Sequence, residues 1–194
     1  MSQTDDIDSK LQVVKLNSQD LSHFDCTDKG EDAQGLQIFI QKEAREYQQR
    51  DLGVTYLFLL GNIIAGFLTV AMSSVDVERM ERGERVMGVP FDTYPALMIG
   101  RLAVDRRFRK KGIGSYLCSW CLGLARDLSK QLGCRYVVLH AREEVIPFYD
   151  RNHFVLSEAE KNKPTKLLYR KISSLKQQYP NQMNSNISAH KTEK

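Results

Sequence analysis

Hydrophobic positions recur along this chain at two periods, and the switches between them mark out the elements. Leu11 to Leu16, read Leu-Gln-Val-Val-Lys-Leu, predicts a first strand. Asn17 to Gly30 is rich in Asp, Ser and Asn and predicts a loop. From Glu31 to Arg50 the spacing turns helical, with Leu36, Phe39, Ile40 and Tyr47 on one face. Gly35 weakens the start, leaving one helix or two short ones open, and Asp51-Leu52-Gly53 ends it. Val54 to Leu60 and Ile63 to Ser73 flank Gly61-Asn62, a two-residue turn signal, and predict a hairpin. Val75 to Pro95 has little periodicity and reads as a long connection of the kind that borders a site. Ala96 to Val104 is an apolar strand. Ile113, Leu117, Trp120, Cys121, Leu124 and Leu128 then mark an amphipathic helix to about Lys130, with Gly133 as its C-terminal cap. Arg135 to Ala141 is a strand buried on both faces, so strand, helix and strand form a parallel, right-handed βαβ unit. A short helix from Glu143 to Arg151, a strand from His153 to Ser157 and a last strand from Lys166 to Lys171 complete the pattern. Met1 to Lys10 is polar and expected to fray; Ser173 to Lys194 has few apolar residues and reads as a disordered tail.

The junction of the βαβ unit carries the chemistry. Arg101-Leu102-Ala103-Val104-Asp105 leads into a run of charge, then into Gly112-Ile113-Gly114-Ser115 at the start of the helix. A helix N-terminus has four unpaired N–H donors, and its dipole favours an anion by about 0.3–1 kcal/mol. Glycines let a phosphate approach the main chain. The nucleoside-triphosphate loop is excluded because the lysines here precede the glycines. The dinucleotide fingerprint is excluded because Leu117 stands where its third glycine belongs.

Composition narrows the classes further. The chain has 194 residues, 42% of them hydrophobic, enough for one domain with a real core. Its net charge of +4 is mild for a nucleic-acid binder. The charge is local, with Arg101, Arg106, Arg107, Arg109, Lys110 and Lys111 set against Asp105 alone. Such a patch suits coenzyme phosphates or an RNA backbone, or is simply a solvated turn. There is no membrane-length apolar run and no leader pattern, so the chain reads as soluble and cytoplasmic. Cys118 and Cys121 have C-x-x-C spacing but fall inside a helix, without further ligands at metal spacing. Buried thiols are expected there, and no metal.

Arg109-Lys110-Lys111-Gly112-Ile113-Gly114 after a strand ending in Val104-Asp105 resembles the pyrophosphate motif of the GNAT superfamily of acyl-CoA-dependent N-acetyltransferases. Phe148-Tyr149-Asp150-Arg151-Asn152-His153-Phe154 is similar to that family's Phe-Tyr-x-x-x-Gly-Phe, with His153 in place of the usual glycine. The resemblance runs from Ile99 to Leu156 and is weaker before Val54. It implies an α/β (α+β) fold of the GNAT kind over residues 11–172, with a mixed sheet of about six or seven strands and helices on both faces. It implies that the first strand of the βαβ unit splays from the second and that acetyl-CoA wedges between them as co-substrate. The main chain of Leu102, Ala103 and Val104 would then hold the acetyl-pantetheine arm and polarise the thioester carbonyl. N–H groups of Arg109, Lys110, Lys111, Gly112, Ile113 and Gly114, with Ser115, would hold the pyrophosphate. Tyr149 would be the general acid at the sulfur.

Magnitudes bear on the acceptor. A tyrosine at pKa ~10 giving its proton to a thiolate at ~8.5 works uphill by roughly 2 kcal/mol. A lysine amine at ~10.4 costs ~4.6 kcal/mol to neutralise at pH 7, an α-amine near 8 only ~1.4. No acid is marked as the base: Glu143, Glu144, Asp76 and Glu78 are candidates by location, and His140 is expected to pack at a strand end. A site without a dedicated base favours an α-amine. Ile99 to Asp105, the Phe148-Tyr149 pair and the early Phe24-Asp25-Cys26 are also similar to GNAT toxins that acetylate aminoacyl-tRNA. That resemblance implies an RNA-borne acceptor and an antitoxin partner; a homodimer is the other assembly expected. A non-catalytic CoA- or RNA-binding module is the reading from a different class.

Overall fold

The computed structural model describes residues 11–157 and 163–172. The stretches read as a frayed N-terminus and a polar tail lie outside these. Among the described residues seven strands form one sheet: β1 (Leu11–Lys15), β2 (Val54–Leu60), β3 (Ile63–Asp76), β4 (Thr93–Val104), β5 (Tyr136–Ala141), β6 (Val155–Leu156) and β7 (Lys166–Lys171). Their spatial order is β1-β2-β3-β4-β5-β7-β6. Only β4 and β5 run parallel; the other neighbours are antiparallel. The expected hairpin turns at Gly61, whose φ of 58° suits glycine.

Helices cover both faces. The first, α1, begins after Gly35 and is continuous through Leu36–Ile38, a π turn at Phe39–Glu43, and Ala44–Gln49. The π turn shows in the Ala44 N–H, which bonds the Phe39 carbonyl five residues back. The helix α2 (Ile113–Ser129) buries Ile113, Leu117, Cys118, Cys121, Leu122 and Ala125. These pack on Phe58, Leu68, Ile99, Val137 and Leu139, one face of the sheet. On the other face α1 packs on Leu57, Phe67 and Ala103. A third cluster on that face joins Tyr94, Ala96, Tyr136, Val138 and Tyr169 to Val77 and Met80. Among the described residues no helix is long and apolar enough to cross a membrane.

Two expectations needed correction. The connection read from Val75 to Pro95 is shorter, because β3 continues to Asp76 and β4 starts at Thr93. Pro95 disguised the strand: it has no N–H, but it sits where its carbonyl is the group used, accepting from the Arg135 N–H at 2.8 Å. The strand read from His153 to Ser157 is only Val155–Leu156. His153 instead takes a left-handed φ of 59° at the end of α3 (Ile146–Arg151). Its N–H bonds Asp150, and the next N–H, of Phe154, returns to the Tyr149 carbonyl. The histidine thus performs the turn that a glycine would make with less strain.

Candidate active site

Strands β4 and β5 share four rungs, from Ala96↔Tyr136 to Ile99↔Leu139. Beyond them the strands part. β4 runs on to Val104 bonded only to β3, while β5 runs on to Ala141 bonded only to β7. A bulge sits at the parting, where Thr69 pairs Arg101 and Val70 pairs Ile99, leaving Gly100 as the extra residue on β4. A bulge bends its strand and ends pairing. The glycine inside an apolar run was its sequence signal. The result is a wedge whose β4 wall, from Gly100 to Val104, pairs with β3 alone, its Gly100 carbonyl accepting from the Arg101 guanidinium at 2.8 Å. Leu102 and Val104 line the α2 side, and Ala103 is buried under α1. Gly66 on β3 allows this wall its position, since a Cβ there would lie 2.9 Å from the Ala103 carbonyl oxygen.

The wedge ends at the mouth of α2. Lys110 and Gly112 have φ of 59° and 85°, which turn the chain sharply into the helix. Tyr116 is the first N–H of the helix to bond a carbonyl, that of Gly112 at 3.0 Å. The N–H groups of Ile113, Gly114 and Ser115 precede it and have no partner within the helix. Ile113 anchors the turn in the core, while Ser115, Lys110 and Lys111 are exposed. Gly114 has a second role. A Cβ there would meet the Phe148 ring at 3.1 Å, so this glycine lets α3 pack against the mouth.

The basic cluster divides. Asp105, its carboxylate fully buried, accepts the Arg107 guanidinium in a two-pronged pair at 2.8 Å, together with the N–H groups of Arg107 and Asp25. Burial alone would raise its pKa, but these four donors outweigh it and hold the carboxyl below its ordinary range. Arg106 pairs with Asp25 at 3.0 Å. Arg109 donates to the carbonyls of Cys26 and Thr27. These three arginines therefore knot residues 23–28 to the end of β4, and do not form a phosphate patch. Phe24-Asp25-Cys26 is the other half of the knot, with Phe24 packed edge-on against Phe67. At the mouth Arg109 has only its N–H to offer. Arg101 lies over the Phe39 ring of the π turn, 5.1 Å away, rather than at the mouth.

Tyr149 sits on the α2 side of the wedge, buried among Phe148, Phe154 and Cys118. Among the described residues its hydroxyl has no hydrogen-bond partner, which is rare for a buried tyrosine. Burial raises its pKa well above the ordinary value, so it keeps its proton at any physiological pH. The cysteines are core thiols; burial pushes Cys118 up to about 12. Among the described residues no cluster of His, Cys, Asp or Glu could hold a metal.

The candidate bases separate by position. Asp76 and Glu78 lie beside Thr93, six residues and ~20 Å along β4 from Ile99, and Asp76 pairs with Arg79 at 2.8 Å. They are too far from the wedge to serve it. Glu143 and Glu144 follow β5 directly, at its open end. His140 is not packed at a strand end, as expected, but exposed.

Residues 55–156 match the acetyltransferase (GNAT) domain family. The chain belongs to that family. The GNAT core holds both strands of the wedge, the mouth of α2 and Tyr149. A tRNA-acetylating toxin of Mycobacterium tuberculosis is 30% identical over 98 residues, which are 50% of this chain. The match spans 58% of that relative's length. Two solved structures share the GNAT fold at a TM-score of 0.73: AtaT complexed with acetyl-methionyl-tRNAfMet and a tyrosine-to-phenylalanine mutant of KacT. The first is 19% identical and covers 84% of this chain and 96% of its own; the second is 22% identical and covers 85% and 96%.

Proposed function

We propose that the protein is an acetyl-CoA-dependent N-acetyltransferase acting on an α-amine, and that the amine belongs to an aminoacyl-tRNA. The wedge carries this reading. Four closed rungs, then an unpaired β4 edge ending at bare helix N–H groups, give an extended thioester main-chain partners along its arm and a seat for its diphosphate. A β4 N–H polarises the thioester carbonyl and stabilises the oxyanion of the tetrahedral intermediate. The amine nitrogen attacks the carbonyl carbon, the carbon–sulfur bond breaks, and Tyr149 gives the leaving sulfur its proton. The same burial that raises the phenol pKa raises the basicity of a thiolate beside it, so the transfer is not made worse. The tRNA-acetylating relative and the tRNA-bound AtaT fold support the acceptor class. Exposed Lys110, Lys111 and Arg101 remain for an RNA backbone. Cytoplasmic placement follows from that substrate.

Calorimetric titration with acetyl-CoA tests the cofactor, and absence of binding up to millimolar concentration would falsify the reading. Mass spectrometry of aminoacyl-tRNA digests, peptides and small amines after incubation with acetyl-CoA tests the acceptor. An acetylated α-amine on the tRNA digest is the expected product. Modification confined to lysine side chains overturns the acceptor class.

A further inference from the structure

We propose that His140 on β5 accepts the proton of the incoming amine, from the face of the sheet opposite Tyr149. The proposal rests on the acetyl-transfer reading above.

Strand alternation fixes where His140 points. Tyr136 and Val138 belong to the cluster on the α1 face, while Val137, Leu139 and Ala141 belong to the α2 core. His140 shares the parity of Tyr136 and Val138 and so projects to the α1 face. It is also the first residue of β5 past the last rung with β4, Ile99↔Leu139. It therefore stands on the rim of the wedge, where the thioester would lie.

That face has two covered patches. One lies under α1 at Phe67 and Ala103; the other lies under Val77 and Met80. By register, Ala71, Gly100 and His140 fall between them, Met98 packs against the second, and none of the four is buried. Arg101 flanks this strip, over the Phe39 ring and donating to the Gly100 carbonyl at 2.8 Å. In this proposal the amine comes to the wedge along the strip, from the α1 side. Tyr149 lies on the α2 side. A nucleophile entering by one face and a sulfur protonated from the other is the arrangement that direct transfer through the sheet needs.

The proton balance closes. The ammonium gives one proton to the imidazole, which passes it to water. The neutral nitrogen attacks, the carbon–sulfur bond breaks, and Tyr149 protonates the sulfur. The second proton lost by nitrogen as the amide forms restores Tyr149. An α-amine near ~8 asks less of any base at neutral pH than a lysine near ~10.4.

The charged residues on the elements beside His140 are Arg101 on β4, Arg142, Glu143 and Glu144 beyond β5, and Lys163 and Lys166 before and on β7. Their influence is common to both arms of the test. His140→Gln is compared with wild type for transfer to total tRNA charged with amino acids, across pH 6.5–9. We expect kcat/KM to fall about 10²-fold at pH 7, the deficit narrowing towards pH 9 where the amine is already neutral. Acetyl-CoA affinity by calorimetry stays unchanged, which shows the variant folded. Equal activity, or a loss of the same factor at every pH, overturns His140 and leaves the transferase reading standing. A wild type that binds acetyl-CoA but transfers to nothing overturns both.

Discussion

The two halves of β4 are built to opposite ends. From Thr93 to Ile99 the strand is flanked by β3 and, from Ala96, by β5, and its side chains enter a dense aromatic cluster. There Tyr136 donates to Glu84, which also pairs with Lys171 at 2.8 Å, and Tyr169 accepts the Glu81 N–H. Arg135 lies over the rings of both Tyr94 and Tyr136. The hydroxyls of Tyr94, Tyr136 and Tyr169 all find partners inside the protein. From Gly100 to Val104 the strand keeps β3 but loses β5, and among the described residues Tyr149 keeps an unbonded hydroxyl and the first N–H groups of α2 have no partner within the helix. The closed half uses its hydrogen bonds for stability; the open half is where the proposed function seats the thioester. The bulge at Gly100 is the boundary.

Substitutions on each side should separate binding and rate from stability. The largest effect is expected from Tyr149→Phe, which removes the buried phenol without altering the packing. Acetyl transfer should fall by about 10²–10⁴ with acetyl-CoA affinity kept, and a calorimetric titration beside a rate assay checks both. Unchanged turnover would mean that the unpaired hydroxyl serves no chemistry.

Asp105→Asn should come next, because it leaves the Arg107 guanidinium without its carboxylate. The arginine left behind is half exposed and can turn to water, so the loss is that of the buried carboxylate's charged hydrogen bonds, about 1.5–3 kcal/mol. The carboxyl pKa is depressed in the folded state. Its contribution is therefore complete above the unfolded pKa, near ~3.9, and fades as pH falls through the folded value. Urea denaturation at pH 7 and pH 3 should show a smaller gap between variant and wild type at the lower pH. An equal gap would assign the effect to shape and not to charge.

Gly114→Ala should press a methyl group on the Phe148 ring, at a cost of about 1–2 kcal/mol, and weaken acetyl-CoA binding along with stability. Tyr136→Phe should lose about 1 kcal/mol and leave acetyl-CoA affinity untouched, since the ties it breaks, to Glu84 and from the Arg135 guanidinium, both lie in the closed half. Weakened binding in the tyrosine variant would show that the two halves are not independent. Thermal melts and titrations on the same samples decide both cases.

Much of this arrangement was written locally. The hairpin around Gly61, the α2 helix, the parallel βαβ unit and the glycine pair at its junction all follow from short-range periodicity and turn residues, which act within a few positions of themselves. The mouth of α2 was legible for the same reason; Tyr149 was singled out only by the family resemblance of the Phe148-Tyr149 stretch. Tertiary structure alone decided what those residues touch. Arg106, Arg107 and Arg109 look like a phosphate patch in the sequence, yet their partners at residues 23–28 lie some eighty positions away. Pro95 hid the start of a strand whose pairing with β3 is set by the opposite arm of a long hairpin. His140 looked like a strand-end core residue because nothing in β5 itself says where β4 departs. A sequence specifies which backbone groups can be left unpaired, but which of them stay unpaired depends on a neighbour that arrives from elsewhere in the chain.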